Sequence, residues 1–209
     1  MTYKFQKIYY TVLFMLFLAC AKEDPDPPPP PEPPEPPVVI DTSFYDHLNN
    51  NSTLDDYVET FRLDAIRQKS FDPFVDQTVS VRLKGGDLPP DTSLEHIGIA
   101  LGACDPDVIN IEIYQSAWND YTVVQKLLVV YHEMGHDRYR YRHTCEQNEE
   151  HCSTWLRLEL KDRPIMFPAI TASTSTLQLD WFVGKAEEFF KANWMPTPRY
   201  FTEGVWPCN

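Results

Sequence analysis

The chain has 209 residues, a formal net charge of −13 at pH 7 and a hydrophobic content of 43%. This length allows one globular domain with a sizeable core in addition to a terminal segment, and the composition is ordinary for a globular protein. The acidic balance argues against nucleic acid as a partner and against direct binding to anionic lipid, so we expect neither.

The amino terminus predicts export. Lys4 and Lys7 precede an apolar run of twelve residues, 8–19. A transmembrane helix needs about 20 apolar residues, so this run is typical of the core of a signal peptide. We therefore predict that residues 1–19 are a signal peptide.

The end of this run predicts a lipid anchor. The residues Leu16-Phe17-Leu18-Ala19-Cys20 place a small residue before a cysteine and resemble the lipobox of bacterial lipoproteins. The resemblance implies that Cys20 is acylated, becomes the first residue of the mature chain and attaches it to the membrane. An ordinary secretory signal with an incidental cysteine is the alternative.

Residues 20–37 predict a tether between this cysteine and the domain. Ten of the thirteen residues in 25–37 are prolines, which favour a stiff polyproline II segment. The Lys-Glu-Asp sequence at 22–24 resembles the surface-export tether of Bacteroidetes lipoproteins. It implies a location in the cell envelope, in the outer membrane or at the cell surface of a bacterium. A proline-rich partner-binding segment is the alternative.

The hydrophobic pattern of residues 38–209 predicts one α+β domain. Apolar residues three and four positions apart predict a helix over Leu54–Lys69, and a similar pattern predicts a closing helix over residues 177–191. Alternating apolar residues predict strands over residues 75–83, 95–101 and 108–114.

A long apolar run precedes the most informative motif. Residues 121–132 contain no glycine or proline, and Asn119 or Asp120 is suited to cap a helix there. The many β-branched residues leave a buried strand open, but the length of the run favours a buried helix.

The motif itself is His132-Glu133-Met134-Gly135-His136. Two histidines four residues apart on a helix lie on one face and can bind one ion. Glu133 lies on the same turn, where it can act on a water molecule beside that ion. This is the H-E-x-x-H arrangement of zinc peptidases, in which three protein ligands leave one position of the metal open. A chance match is the alternative, but a buried helix needs a reason to carry these three residues together.

A third histidine, His143, follows His132 by eleven residues. In metzincin peptidases this interval is ten residues and a glycine lets the chain turn back, whereas here Tyr139 occupies the glycine position. The segment more closely resembles a group of bacterial metallopeptidases, many of them lipoproteins, with H-E-x-G-H and the longer interval. Their Met-turn is similar to Pro164-Ile165-Met166-Phe167-Pro168, which would place Met166 beneath the metal.

This resemblance implies a zincin-like fold, in which a small mixed sheet packs on the active-site helix with an amino-terminal and a carboxyl-terminal helix beside it. It also implies a peptide or protein substrate, with Glu133 as the general base. One Zn²⁺ per chain would be held by His132, His136 and His143. We expect a monomer.

The third ligand has an alternative. Neither Tyr139 nor Arg140 is expected to take a positive φ without strain, so the helix is expected to end differently or a turn further on. Glu149 or Glu150 would then be the ligand, as in the zincins whose third ligand is a glutamate, although the interval from His136 is short for that.

The cysteines after Cys20 are even in number and suit an oxidising compartment. Among the three possible arrangements we favour disulfides between Cys145 and Cys152 and between Cys104 and Cys208. A zinc site formed by Cys145, His151 and Cys152 is the alternative.

Two further predictions concern the surroundings of the site. Strand Val108–Tyr114 leads into the active helix, and we predict that it is the sheet edge on which an extended peptide lies antiparallel; a plain central strand is the alternative. A basic group that alternates with Tyr139 and Tyr141 after the motif predicts a solvated rim of the site, with a nucleic-acid patch as the alternative: Arg138, Arg140 and Arg142.

Two classes of function fit these features. The first is a surface-anchored zinc peptidase, and the second is a non-catalytic exported binding domain with a structural zinc ion. Glu133 favours the peptidase, because a structural site needs no base at that position.

The lipid anchor can be tested directly. Replacing the acylated thiol in Cys20→Ser should release the protein from the membrane fraction into the soluble fraction. Intact-mass measurement of the native protein should show the added acyl mass. A native protein that carries no acyl mass would contradict the prediction.

Overall fold

The computed structural model describes residues 40–86, 97–103, 105, 107–141, 143, 162–167 and 176–191. All of them belong to one compact unit, Val39–Asn209. The signal peptide, Cys20, the tether, Arg142, Glu149, Glu150, His151 and the four later cysteines lie outside the described residues, so these assignments stay predictions. None of the helices in the described ranges is long and apolar enough to cross a membrane.

Helix α1, Leu54–Lys69, has the predicted bounds. It begins with a capping box in which the Thr53 hydroxyl accepts from the Asp56 amide while the Asp56 carboxylate accepts from the Thr53 amide. It ends at Ser70, which has a left-handed φ of 53°. Both ends of α1 are therefore defined by local side-chain and backbone chemistry.

The sheet contains three described strands: β1 (Thr78–Lys84), β2 (Gly98–Ala100) and β3 (Val108–Tyr114). Their order is β1-β3-β2, with β1 parallel and β2 antiparallel to β3. Strand β1 begins three residues later than predicted, because Asp76 has a positive φ of 60° and the chain is still turning there. The mixed sheet and the helices around it confirm an α+β fold.

Strand β3 lies in the centre of the sheet, with β1 on one side and β2 on the other. Its buried residues alternate and face the helices: Ile109, Ile111 and Ile113. The prediction that Val108–Tyr114 is the peptide-binding edge is therefore wrong, because both sides of this strand already pair with neighbours. Alternating apolar residues occur in central and edge strands alike, so the pattern did not distinguish the two.

Helix α3, Val123–Asp137, contains the motif, and every residue from Val124 to Asp137 is buried. The prediction of a buried helix is thus confirmed. Its predicted cap is wrong: Asn119 and Asp120 end a separate short helix, α2 (Gln115–Asp120). Thr122 caps α3 instead, through a second capping box with Gln125.

Helix α4, Leu179–Lys191, starts two residues later than predicted and completes the core. Its rings pack against Tyr131 of α3, with centroid distances of 5.0 Å for Phe182 and 5.9 Å for Phe190. Phe61 of α1 meets the same tyrosine at 5.0 Å. The helix that carries the motif is thereby fixed between α1 and α4.

A buried polar cluster joins α1 to α3. The Asp64 carboxylate, which is 0% exposed, accepts hydrogen bonds from the hydroxyls of Tyr45 at 2.6 Å and Tyr131 at 2.8 Å. Arg67 donates to its other oxygen at 2.7 Å. Burial raises the pKa of Tyr131 well above its usual value, so its hydroxyl stays protonated and donates. Tyr131, the residue before His132, is thus held in place by α1.

Loss of this cluster should destabilise the domain. Asp64→Ala leaves two buried hydroxyls without their acceptor and should lower the free energy of unfolding by about 2–4 kcal/mol, as measured by urea denaturation. The control is Glu59→Ala, which removes an exposed ion pair with Arg62. It should cost less than about 1 kcal/mol. Equal losses in the two variants would contradict a structural role for the cluster.

Candidate metal site

The site is built on the carboxyl-terminal half of α3. His132 and His136 are one turn apart on the same face of this helix, and both are buried, at 8% and 3% exposure. Their side chains therefore converge without any distortion of the helix.

The chain turns back immediately after α3. The Tyr141 amide donates to the Gly135 carbonyl at 2.7 Å, and Arg140 has a left-handed φ of 54°. Arg140 thus adopts the positive φ that the sequence analysis expected to carry strain. The stacked rings of Tyr139 and Tyr141, 5.4 Å apart and packed against Phe189, offset this backbone strain.

The contacts of this turn bear on the predicted solvated rim. Tyr141 is buried, and Arg138 is half-buried with its guanidinium donating to the Pro73 carbonyl at 2.6 Å. Tyr141 thus anchors the turn to the core, and Arg138 anchors it to the loop before β1. Arg138 is therefore not a purely solvated residue, and Arg142 lies outside the described residues.

The turn brings His143 to the two helical histidines. The three Nε2 atoms lie 3.1 Å apart between His132 and His136, 3.1 Å apart between His132 and His143, and 3.0 Å apart between His136 and His143. The structure thus brings together all three residues predicted as metal ligands. Within the described residues they form a group that could hold a metal ion.

Backbone carbonyls fix the protonation of two of these rings. The Nδ1 atom of His132 lies 2.8 Å from the Ile165 oxygen, and that of His136 lies 2.7 Å from the Tyr141 oxygen. Since a carbonyl can only accept, each Nδ1 must carry the proton. In the neutral rings each Nε2 therefore has a lone pair, and these lone pairs point at each other across 3.1 Å.

A cation at the centre of the three nitrogens would turn this repulsion into coordination. Burial, followed by the nearby His143, lowers the pKa of His132 to about 3, which keeps the ring neutral as a ligand must be. In tetrahedral zinc sites with Zn–N bonds of 2.0–2.1 Å the nitrogens are about 3.3 Å apart. The observed separations of 3.0–3.1 Å are close to that value. The residues present therefore fit a tetrahedral ion with one open position.

Glu133 points toward the sheet edge formed by β2. It is 6% exposed, and the Ala100 amide hydrogen-bonds its carboxylate. Burial, with Asp137 as the second cause, raises the pKa of Glu133 to about 8 in the chain without a metal ion. A cation nearby would oppose this shift because it favours the charged form.

Asp137 was not predicted as part of the site, although it is the last residue of α3. Its carboxylate accepts from the Gly102 amide at 2.8 Å and the Asn110 amide at 3.2 Å. This carboxylate fixes the end of α3 to β3 and to the loop that follows β2. A further acid one residue after the second histidine of the motif, on the same buried helix, was the available signal.

Met166 lies on the side of α3 where Gly135 leaves room for it. Met166 is 1% exposed, and a Cβ atom added at Gly135 would collide with its Sδ atom. Its neighbour Ile165 provides the carbonyl that binds His132. The short turn containing Met166 therefore supports the site by packing against α3 and by binding His132. Its equivalence to a Met-turn remains a prediction.

No protein-family model, no curated protein and no solved structure matches this chain.

Metal binding through His143 can be tested by titration. His143→Ala leaves two imidazoles and should weaken zinc binding by about 100-fold or more, as measured by competition with a chelating dye. Zinc should also raise the melting temperature of the wild type but not that of the variant.

His47→Ala is the matched control. His47 hydrogen-bonds the Thr60 hydroxyl at a distance of 2.9 Å and is not one of the three converging histidines. It should bind zinc as the wild type does. Undiminished affinity in His143→Ala would contradict this ligand and would point to Glu149 or Glu150.

Proposed function

We propose that this chain is an exported zinc-dependent peptidase of the zincin type, in which Glu133 is the general base. The observation that carries the proposal is the convergence of the Nε2 atoms of three histidines, with Glu133 next in sequence to one of them. The mixed α+β fold, with the motif on a buried helix beside a small sheet, supports it.

Zinc is the proposed metal because of the donor set. Three imidazole nitrogens in a buried site suit a borderline-soft ion with no redox chemistry, and catalytic zinc sites commonly use three protein ligands and one open position. Bound zinc supplies Lewis-acid activation of a water molecule and polarises a carbonyl group. His132, His136 and His143 would hold it.

The proposed role of Glu133 follows from its position on the same helical turn as His132 and His136. Its carboxylate accepts a proton from the attacking water and then delivers that proton to the nitrogen of the departing amine. The Ala100 amide keeps the carboxylate at the edge of the sheet during these transfers.

The proposed substrate is a peptide in extended conformation along β2. Strand β2 lies at one edge of the sheet, and β3 is its one partner among the described strands. Its residues Gly98 and Ala100 lie against Glu133 of the active helix. A substrate that adds a strand at this edge would receive main-chain hydrogen bonds close to the proposed base. Strand β2 is thus the proposed peptide-binding edge, the role that the sequence analysis predicted for Val108–Tyr114.

A non-catalytic binding domain with a structural metal is the second candidate. It is favoured by one observation, namely that Glu133 is 6% exposed and already bonded to the backbone, as a purely structural acid would be. A structural role gives no reason for hydrolysis to depend on this carboxylate, so the two candidates differ in a measurable way.

The proposal includes the predicted location and partners. The chain would act in the bacterial cell envelope, held by a lipid on Cys20 and separated from the membrane by its proline-rich tether. It would act as a monomer on peptides or proteins. The net charge of −13 suits a soluble domain that is kept clear of an anionic membrane surface.

Replacement of the proposed base should separate metal binding from catalysis. Glu133→Gln has nearly the same shape and can still accept from the Ala100 amide, but it cannot take up the proton. It should retain zinc and lose hydrolysis of a mixed peptide library by about two to four orders of magnitude. Zinc content, melting temperature and cleavage rate are measured for both proteins.

Glu187→Gln on the outer face of α4 is the control and should keep full activity. Equal cleavage by wild type and Glu133→Gln would remove Glu133 as the base. A zinc-loaded wild type that cleaves no peptide would favour the binding domain.

A further inference from the structure

Gly98 on β2 lies against the side chain of Glu133. A Cβ atom built on Gly98 would lie 2.5 Å from the Glu133 Cγ and Oε1 atoms and 2.6 Å from its Cδ atom. Real Cβ atoms are not found this close to other heavy atoms. Any residue other than glycine at this position would therefore have to displace the carboxylate or move the strand.

The hydrogen bonding of β2 shows which backbone groups face Glu133. The Tyr114 amide donates to the Ile97 carbonyl at 2.9 Å, and the Leu101 amide donates to the Asn110 carbonyl at 2.7 Å. Alternation in an antiparallel pair then directs the amides of Gly98 and Ala100 away from β3. The Ala100 amide is the one that binds the Glu133 carboxylate.

We propose that Gly98 and the Ala100 amide together position Glu133, with the missing side chain of Gly98 making room for the carboxylate and the amide fixing its orientation. This inference rests on the proposed function, and it assigns Gly98 as a positioning residue. Glycine weakens a strand, and β2 has only three residues, so a glycine here needs a reason beyond folding. The contact with Glu133 provides that reason.

The proposal predicts how the active site responds to one added methyl group. Gly98→Ala would push the carboxylate off its position while leaving the three histidines in place. A displacement of about 1 Å in a reacting group can lower the rate by about 100-fold. We therefore expect kcat to fall by about 10- to 100-fold, with KM within about threefold of the wild type and zinc content unchanged.

A stability cycle tests the contact without any measurement of activity. On the full chain, Gly98→Ala should lower the melting temperature by about 3–10 °C, as overpacking does in a domain of this size. In the Glu133→Ala background the colliding atoms are absent, so the same methyl group should lower it by less than about 2 °C. Equal losses in the two backgrounds would overturn the proposal.

A matched glycine provides the control. A Cβ atom on Gly85, at the end of β1, meets nothing within 4 Å. Gly85→Ala should therefore leave melting temperature, zinc content and kcat unchanged. If Gly98→Ala does not accumulate as folded protein, recovery of folded protein in the double variant with Glu133→Ala supports the proposal, and failure to recover overturns it.

The outcomes also separate this inference from the proposed function. An active wild type whose kcat is unaffected by Gly98→Ala would overturn the positioning role and leave the peptidase intact. A zinc-loaded wild type without hydrolysis would refute the peptidase, and with it the catalytic consequence of Gly98. The stability cycle would then still decide whether Gly98 holds Glu133.

Discussion

The candidate site depends on three histidine Nε2 atoms being held within 3.0–3.1 Å of one another. Two of the three histidines have their outer nitrogen bound to a backbone carbonyl, so their inner nitrogens cannot be donors. When these two rings are neutral, the lone pairs on their Nε2 atoms face each other across 3.1 Å and repel unless a cation lies between them. The surrounding protein must therefore supply the rigidity that keeps the rings in place until an ion binds.

That rigidity comes from contacts on several sides of α3. The Asp64 carboxylate binds Tyr131 and ties the helix to α1. The Asp137 carboxylate binds the Gly102 and Asn110 amides and ties its end to the sheet. Both carboxyl groups are buried and each accepts hydrogen bonds from at least two donors, which reduces the cost of burying them. Local anchors of this kind explain how an apolar helix presents polar ligands in a fixed geometry.

The sequence predicted those features that depend on residues close together in the chain. The bounds of α1, the buried character of α3 and the convergence of His132 with His136 all follow from helical spacing. The turn at Arg140 could not be predicted, because its strain is offset by packing of Tyr139 and Tyr141 against Phe189 of a distant helix. The central position of β3 likewise depends on long-range pairing. Local sequence patterns contain no information on the packing that stabilises the turn at Arg140 or on the strands that pair with β3.

Two glycines show how close packing can define a site as strictly as charged residues do. Gly135 lets Met166 approach one side of α3, and Gly98 lets Glu133 lie against β2 on another. In each case the side chain that would obstruct the approach is absent, and the approaching group belongs to the site or to its support. The glycine of H-E-M-G-H and the glycine of a three-residue strand therefore have one physical role. They allow a buried helix to be contacted closely on two sides while its histidines remain free to converge on an ion.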